Sequence, residues 1–254
     1  MSKTFTYLGS DWDVGDTVAK GFRESLLDDG YVETHDGEIS FCWGQRRRRD
    51  DKTIIFDLGY IDRAWDAFEN SGKFYQCSIG NLGWLPQSAP EDRASALPVK
   101  LGGRKGGGPI VVCGQVPHDA QHNMDEDTMV KALEGVMFGR ETEGREIFWR
   151  GHPQAEVKAP WGLRDFPGTK NEMLEAASTV ATFNSNIGLE SLLSGCEVWC
   201  HHSAPYAREA NTWNGGFDIR KSLLRRVAYA QWTEWEIRSG ACRDYILDEL
   251  AKLQ

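Results

Sequence analysis

The chain has 254 residues, with 38 acidic against 29 basic side chains and a formal net charge of −9. Its 40% apolar and 26% charged residues are ordinary for a globular protein and exclude a disordered chain. No apolar run approaches the roughly 20 residues of a membrane span, and the polar N-terminus lacks a signal-peptide core. We therefore expect a soluble cytoplasmic protein with no membrane partner, whose acidity argues against nonspecific coating of nucleic acid but leaves room for a local basic groove.

Short strand-like runs alternate with amphipathic stretches along the chain, which indicates α/β layers with parallel strands. In the first half, strands are predicted at 5–8, 39–43 and 53–57. A helix is expected at 16–27, with Val18, Phe22, Leu26 and Leu27 on one face. The segment 101–109 contains five glycines in nine residues, which predicts a flexible loop or a linker between two halves.

The second half has a clearer alternation. Strands are predicted at 109–114, 146–150, 179–183 and 197–201, and helices at 125–138, 171–177 and 187–194. Two closing helices are expected at 218–238 and 241–253. The pattern favours an α/β protein of two Rossmann-like halves with C-terminal closing helices. We divide it into an acceptor-side domain, 1–105, and a donor domain, 106–254, that includes those helices. The six cysteines are expected to be reduced packing residues.

Three polar residues follow successive predicted strands of the second half. They are Asp119, His152 and Ser185, and each interval between them is 33 residues. That interval is about one strand–helix crossover of ~30 residues, so in a parallel sheet all three would lie at the carboxyl edge. Ligands of open α/β sheets bind at this edge.

The segment 184–188 opens a predicted helix, whose free backbone N–H groups suit a phosphate. Gly188 would leave room for the ligand, Glu190 would accept hydrogen bonds from a ribose, and His152, fixed by Pro153, would donate to the phosphate. The simpler alternative is an ordinary N-cap, with Glu190 favouring the helix dipole. The candidate donor-binding residues are His152, Pro153, Asn184, Ser185, Asn186, Gly188 and Glu190.

The segments Val111–Ala120, Arg150–Pro153 and Asn184–Val198 resemble, in order and spacing, the capsular polysaccharide synthesis family, which contains Kdo transferases. The resemblance implies a glycosyltransferase of the GT-B fold that uses a nucleotide-activated sugar, linked to UDP or CMP, and needs no metal or other cofactor. It implies that Asp119 sits at the reacting carbon as nucleophile, a role that suits an ionised carboxylate facing an oxocarbenium-like centre. Gln115 would orient sugar hydroxyls as a second catalytic residue.

Basic clusters are the candidates for binding the acceptor. They comprise Arg46, Arg47, Arg48 and Arg49, together with Arg104 and Lys105 in the glycine-rich segment. Such clusters can contact a phosphate backbone, so we predict a polyanionic acceptor such as hydroxymethylpyrimidine DNA. By class, though not by motif, this is similar to phage enzymes that glycosylate DNA in the host cytoplasm. The alternative for the four arginines is a solvated turn balanced by neighbouring aspartates.

Two other functions are consistent with these patterns. One is a saccharide-directed, capsule-type glycosyltransferase, and the other is a noncatalytic module that binds nucleic acid or a sugar nucleotide. Cys196 and Cys200, beside His201 and His202, have the composition of a zinc site but flank a predicted strand, so no metal is expected there. One of the two histidines is expected to touch the donor.

Overall fold

The computed structural model of the protein describes residues 3–10, 13–62, 74–119, 121–142, 144–212 and 216–253. The chain divides into two compact units, one formed by 1–98 and 225–254 and the other by 99–224. Within these described ranges, each unit contains one sheet, with six strands in unit 1 and five in unit 2. The predicted α/β class is confirmed. No described helix combines the length and apolar character needed to cross a membrane.

Unit 1 begins with a mostly parallel sheet. Its first elements are β1 (Thr4–Tyr7), α1 (Asp13–Asp28), β2 (Val32–Glu33), β3 (Ile39–Trp43), β4 (Ile54–Leu58) and β5 (Phe74–Ile79). Strands β2, β1, β3 and β4 are parallel neighbours, and β5 runs antiparallel to β4. The predicted strands near 5, 39 and 53 are therefore confirmed, whereas β2 and β5 were not predicted.

Helix α1 packs on this sheet through the face that the sequence predicts. Val18, Phe22 and Leu26 are fully buried, because their spacing of four residues places them on one side of the helix. The Phe22 ring lies 5.2 Å from that of Phe41 on β3, in an edge-to-face arrangement. Leu27 is 40% exposed, so its assignment to the buried face is wrong.

Unit 2 contains a five-stranded, entirely parallel sheet. Its elements are β6 (Ile110–Cys113), α2 (Glu126–Met137), β7 (Ile147–Arg150), β8 (Arg164–Asp165), α3 (Lys170–Ala176), β9 (Thr179–Thr182), α4 (Asn186–Leu193), β10 (Glu197–Cys200) and α5 (Ala207–Asn211). The next helix, α6 (Phe217–Ala228), begins in unit 2 and ends in unit 1. The strand order is β10, β9, β6, β7, β8. Apolar clusters cover both faces of the sheet, one including Met129 of α2 and the other Met173 of α3. This doubly wound order creates a crevice at the carboxyl ends of the central strands.

The C-terminal segment completes the sheet of unit 1. It contains β11 (Gln231–Thr233), α7 (Glu234–Arg238) and α8 (Ala241–Ala251). Strand β11 pairs antiparallel with β5, with Trp232 opposite Tyr75. The prediction of one helix over 218–238 is therefore wrong, since α6 ends at Ala228 and a strand follows it. Thr233 then begins α7 with a capping box that includes Glu236.

The division into units differs from the sequence-based domains at two places. The glycine-rich segment packs within unit 2, where Gly102 donates to the carbonyl of Leu193 at 3.0 Å. A Cβ atom on Gly102 would lie 2.0 Å from the carbonyl oxygen of Ser194, so glycine is needed for this close approach. The segment is irregular, as predicted, but it is packed rather than a free linker. The closing helices α7 and α8 belong to unit 1, not to the donor half.

Candidate active site

The loops that follow β6, β7 and β9 begin at the same level of the unit 2 sheet. Cys113, at the end of β6, pairs with the last residues of both β7 and β9. Because the three strands are parallel, the loops that carry Asp119, His152 and Ser185 leave from one edge. The 33-residue spacing predicts this arrangement.

A reciprocal pair of hydrogen bonds joins two of these loops. The Gln115 Nε2 group donates to Asn184 Oδ1 at 2.7 Å, and the Asn184 backbone N–H donates to Gln115 Oε1 at 2.9 Å. Both side chains are buried, at 6% and 5% exposure. Gln115 therefore holds the loop after β9 through both ends of its amide, and its predicted contact with sugar hydroxyls stays a prediction.

Asp119 lies half-buried in a tight turn after β6. Its Oδ1 atom accepts a hydrogen bond from the backbone N–H of Gln121 at 2.8 Å, and its carbonyl accepts from Asn123 at 2.7 Å. His118, at φ 59°, occupies the left-handed region that reverses the chain here. Among the described residues, none donates a hydrogen bond to Asp119 Oδ2, so the turn fixes the carboxylate through one oxygen and leaves the other for a ligand.

His122 lies in the same turn, and it was not predicted from the sequence as a site residue. Its Nδ1 atom accepts a hydrogen bond from the Met124 backbone at 3.1 Å, which places the proton of the neutral ring on Nε2. Burial lowers the pKa of His122 more than the nearby Asp119 raises it, so the ring is neutral at pH 7. Its Nε2 atom is buried without a partner in the part of the chain that the structure describes. The ring meets Phe183 edge-on at 6.2 Å. The sequence feature that could have indicated His122 is its position three residues after Asp119.

Ser185 begins α4 as its N-cap, with its hydroxyl accepting from the Ile187 N–H at 3.4 Å. Its carbonyl accepts a 2.5 Å hydrogen bond from the hydroxyl of Tyr206, whose pKa burial raises well above the ordinary value. A Cβ atom on Gly188 would lie 2.1 Å from that hydroxyl oxygen. Tyr206 therefore fills the space beside Gly188 where a ligand was predicted.

Other candidate donor residues have partners within unit 2. Glu190 forms a 2.6 Å ion pair with Lys170, the first residue of α3, so a ribose would have to displace a half-exposed lysine. His152 Nδ1 accepts from the Gln154 N–H at 3.2 Å, which puts the neutral ring's proton on Nε2. Pro153 is exposed, and Asn186 is buried at the start of α4.

The four consecutive arginines lie in unit 1, after β3. Arg47 donates to the carbonyl of Leu8 at 3.3 Å, Arg48 to that of Gly80 at 2.5 Å and Arg49 to that of Gly37 at 3.2 Å. Arg46 is exposed. Arg48 also pairs with Asp51 at 3.6 Å and Arg49 with Asp50 at 3.1 Å, which favours the alternative of a turn balanced by neighbouring aspartates.

Arg104 and Lys105 lie at the opposite edge of the unit 2 sheet from the candidate site. They line a cleft of about 640 Å³ together with the residues that precede β6, β7, β9 and β10. The Lys105 ammonium donates to the Leu174 carbonyl in the last turn of α3, a common way of satisfying a helix C-terminus. Their assignment to the acceptor stays a prediction, at an edge of the sheet away from Asp119, His152 and Ser185.

The cysteines are buried free thiols, as the sequence indicates. Burial raises the pKa of Cys113 and of Cys200 to about 12, which makes both thiols inert. Cys196 packs in the apolar cluster beneath α3. Within the described ranges, no group of three or more His, Cys, Asp or Glu side chains could hold a metal ion.

A doubly wound unit with a polar carboxyl edge, following another α/β unit, is an arrangement found in GT-B glycosyltransferases. The chain is similar to the solved structure of Thermosulfurimonas dismutans KpsC, beta Kdo 2,7 transferase, with a TM-score of 0.52 and 12% identity over 100% of both chains. It is also similar to the beta Kdo 2,4 transferase of KpsC from the same organism, with a TM-score of 0.54 and 16% identity over 91% of each chain. These likenesses show a GT-B-like fold. No protein-family model and no curated protein matches the chain.

Proposed function

We propose that this protein is a glycosyltransferase that moves a sugar from a nucleotide-sugar donor to a hydroxyl group of a saccharide. One observation carries the proposal: the aligned ends of β6, β7 and β9 place Asp119, His152 and Ser185 at one edge of a GT-B-like unit. The solved structures with this fold are named as Kdo transferases, which supports transfer to a saccharide and makes an activated Kdo the first donor to test.

The donor's phosphate would lie at the start of α4, where the positive end of the helix dipole meets the Ser185 hydroxyl. His152 would donate its Nε2 proton to the same phosphate. The Gln115–Asn184 pair would hold this loop in place.

Asp119 would act as the nucleophile through Oδ2. Its carboxylate forms a bond to the anomeric carbon while the bond from that carbon to the phosphate oxygen breaks, and the electron pair leaves with the nucleotide. An acceptor hydroxyl then attacks the same carbon, releases the carboxylate and gives its proton to a base or to water. Two displacements retain the configuration of the sugar.

The contacts of the basic clusters do not support DNA as the acceptor. Three of the four consecutive arginines donate to backbone carbonyls of unit 1, and Arg104 and Lys105 lie at the far edge of the unit 2 sheet. These basic residues therefore do not form the single cationic surface that binding to a phosphate backbone would need.

The test is nucleotide release and product mass with a panel of CMP- and UDP-sugars, including CMP-Kdo, in the presence of saccharides or hydroxymethylated DNA. We expect turnover with a saccharide, and a loss of at least about a hundredfold in Asp119→Asn, a size typical of removing a group that acts in the transition state. Asp125→Asn is the matched control. Asp125 is an exposed N-cap of α2 in the same loop, and asparagine caps helices equally well.

Three results would count against the proposal. Full activity of Asp119→Asn would remove Asp119 from the mechanism. Modified nucleosides in the DNA arm would restore the polyanionic acceptor. Nucleotide binding by the folded protein without consumption of any donor would favour a noncatalytic module.

A further inference from the structure

We propose that unit 2 has a second ligand site, a cleft beside β10 that binds a small organic oxyanion carrying a flat ring. The cleft has a volume of about 620 Å³, within the usual range for small-molecule sites. The residues that define it here are Phe138, Arg140, Phe183, His201, His202 and Asn211. Asp119, His152, Ser185 and Glu190 do not line it, and the proposal does not depend on glycosyl transfer.

The charge of the cleft selects an anion. Arg140, His201 and His202 contribute its ionisable nitrogen groups, and none of the described residues that line it is acidic. The Arg140 guanidinium forms no hydrogen bond or ion pair with any described residue, and its carbon lies 5.7 Å from the centre of the Trp199 ring. An arginine placed in this way offers a fork of donors to a carboxylate or phosphate. In a chain of net charge −9, such a site depends on local placement rather than on overall charge.

The histidines add further nitrogen groups to the lining of the cleft. His201 Nδ1 accepts a hydrogen bond from the Ser203 N–H at 3.2 Å, so its neutral ring carries the proton on Nε2. The His202 ring lies 3.8 Å from that of His201 and is exposed. Burial and the neighbouring His202 both lower the pKa of His201, and a bound oxyanion would oppose that effect.

The walls of the cleft suit a flat ring. The rings of Phe183 and His201 stack at 4.3 Å with 17° between their planes, and Phe138 is 88% exposed. On α2 and just after it, Gly135 and Gly139 add no side chain, and no atom lies within 4 Å of a Cβ built on either. Aromatic rings beside an open backbone wall favour a planar, apolar body attached to the anion.

The experiment is titration of the full chain with phenyl phosphate, benzoate and inorganic phosphate, followed by the NMR signals of the histidine rings. We expect saturable shifts of His201 and His202 with a ring-bearing probe, and binding at least about fivefold tighter for phenyl phosphate than for inorganic phosphate, since the ring adds buried apolar surface. The comparison with benzoate shows whether the phosphate or the carboxylate is preferred. Shifts with either of these ring-bearing probes support the site.

Arg140→Gln should weaken binding of the preferred probe about tenfold, the size of one charge-assisted hydrogen bond. Arg164→Gln is the control, because Arg164 is an exposed arginine of the same unit that lies outside the cleft. Unchanged backbone signals away from the cleft would show that each variant is folded. Absence of His201 and His202 shifts with all three probes would overturn the site, as would equal affinity of Arg140→Gln. Equal affinity for phenyl phosphate and inorganic phosphate would overturn the ring-bearing ligand.

Discussion

Gln115 contributes to the candidate active site by holding Asn184, the residue that precedes the N-cap of α4. Both polar ends of its amide are engaged, and both residues are buried. A buried polar group that loses its partner costs more than the hydrogen bond itself contributes. The precision of the Ser185 loop therefore depends on a side chain 69 positions earlier in the chain.

We expect Gln115→Ala and Asn184→Ala each to lower the free energy of unfolding by about 1–3 kcal/mol, since each leaves a buried polar side chain without its hydrogen-bond partner. The double variant should lose less than the sum, by about 1 kcal/mol or more. Urea unfolding of the four proteins measures this coupling. Gln154→Ala, at an exposed residue of a neighbouring loop, should change stability by no more than about 0.5 kcal/mol. Strictly additive losses would contradict the reciprocal contact.

At the scale of elements, Tyr206 supports the start of α4 from beneath. It is fully buried, packs against the bare backbone at Gly188 and donates to the Ser185 carbonyl. The N-terminus of α4 therefore depends on Tyr206, a residue that follows β10 in the chain. Its position is set by packing rather than by the capping hydroxyl alone.

Gly188→Ala should therefore lower stability by about 1–3 kcal/mol, the usual cost of overpacking, although alanine is the better helix former. Gly135→Ala is the matched control within α2. Its new methyl group meets no atom within 4 Å, so stability should rise by up to about 1 kcal/mol. Thermal unfolding of both variants measures the contrast. A Gly188→Ala protein as stable as the parent would show that the Tyr206 side chain can move aside without lowering the free energy of unfolding.

The periodicity of apolar residues predicted helices that are buried on one face, such as α1 and α2, and strands that are buried along their whole length, such as β6 and β9. It failed where pairing with a distant strand decides the structure. In the stretch 231–235, Trp232 and Trp235 fit a helical spacing, yet Trp232 is buried opposite Tyr75 in a strand and Trp235 is 74% exposed. Similarly, the spacing of Asp119, His152 and Ser185 gave the shared edge, while the Gln115–Asn184 and Lys170–Glu190 contacts required the folded chain.

At the scale of the whole molecule, the two units differ in how they use the chain. Unit 2 is one continuous stretch, 99–224, whereas unit 1 combines two separate stretches, 1–98 and 225–254. Arg93 shows the dependence within unit 1, because its guanidinium lies 3.7 Å from the centre of the Trp232 ring and pairs with Glu236. Ile237, Ile246 and Leu250 belong to the same apolar core as Phe22 and Phe41.

We expect the fragment 99–224 to fold alone and the fragment 1–98 to remain unfolded, because the latter lacks β11 and the apolar side chains of α7 and α8. Circular dichroism during heating measures this as the presence or absence of a cooperative transition. Adding the peptide 225–254 should restore structure to 1–98. A cooperative transition of 1–98 by itself would contradict the dependence.

The position of β11 has a consequence for synthesis on the ribosome. Strand β5 ends at Ile79, but its outer neighbour begins only at Gln231, so translation at about 5–20 residues per second leaves β5 as an edge for roughly 8–30 s. Charged residues and prolines usually prevent edge strands from pairing with other chains, and Phe74–Ile79 contains neither. The nascent protein therefore has a window for aggregation that closes when residues 225–254 leave the exit tunnel.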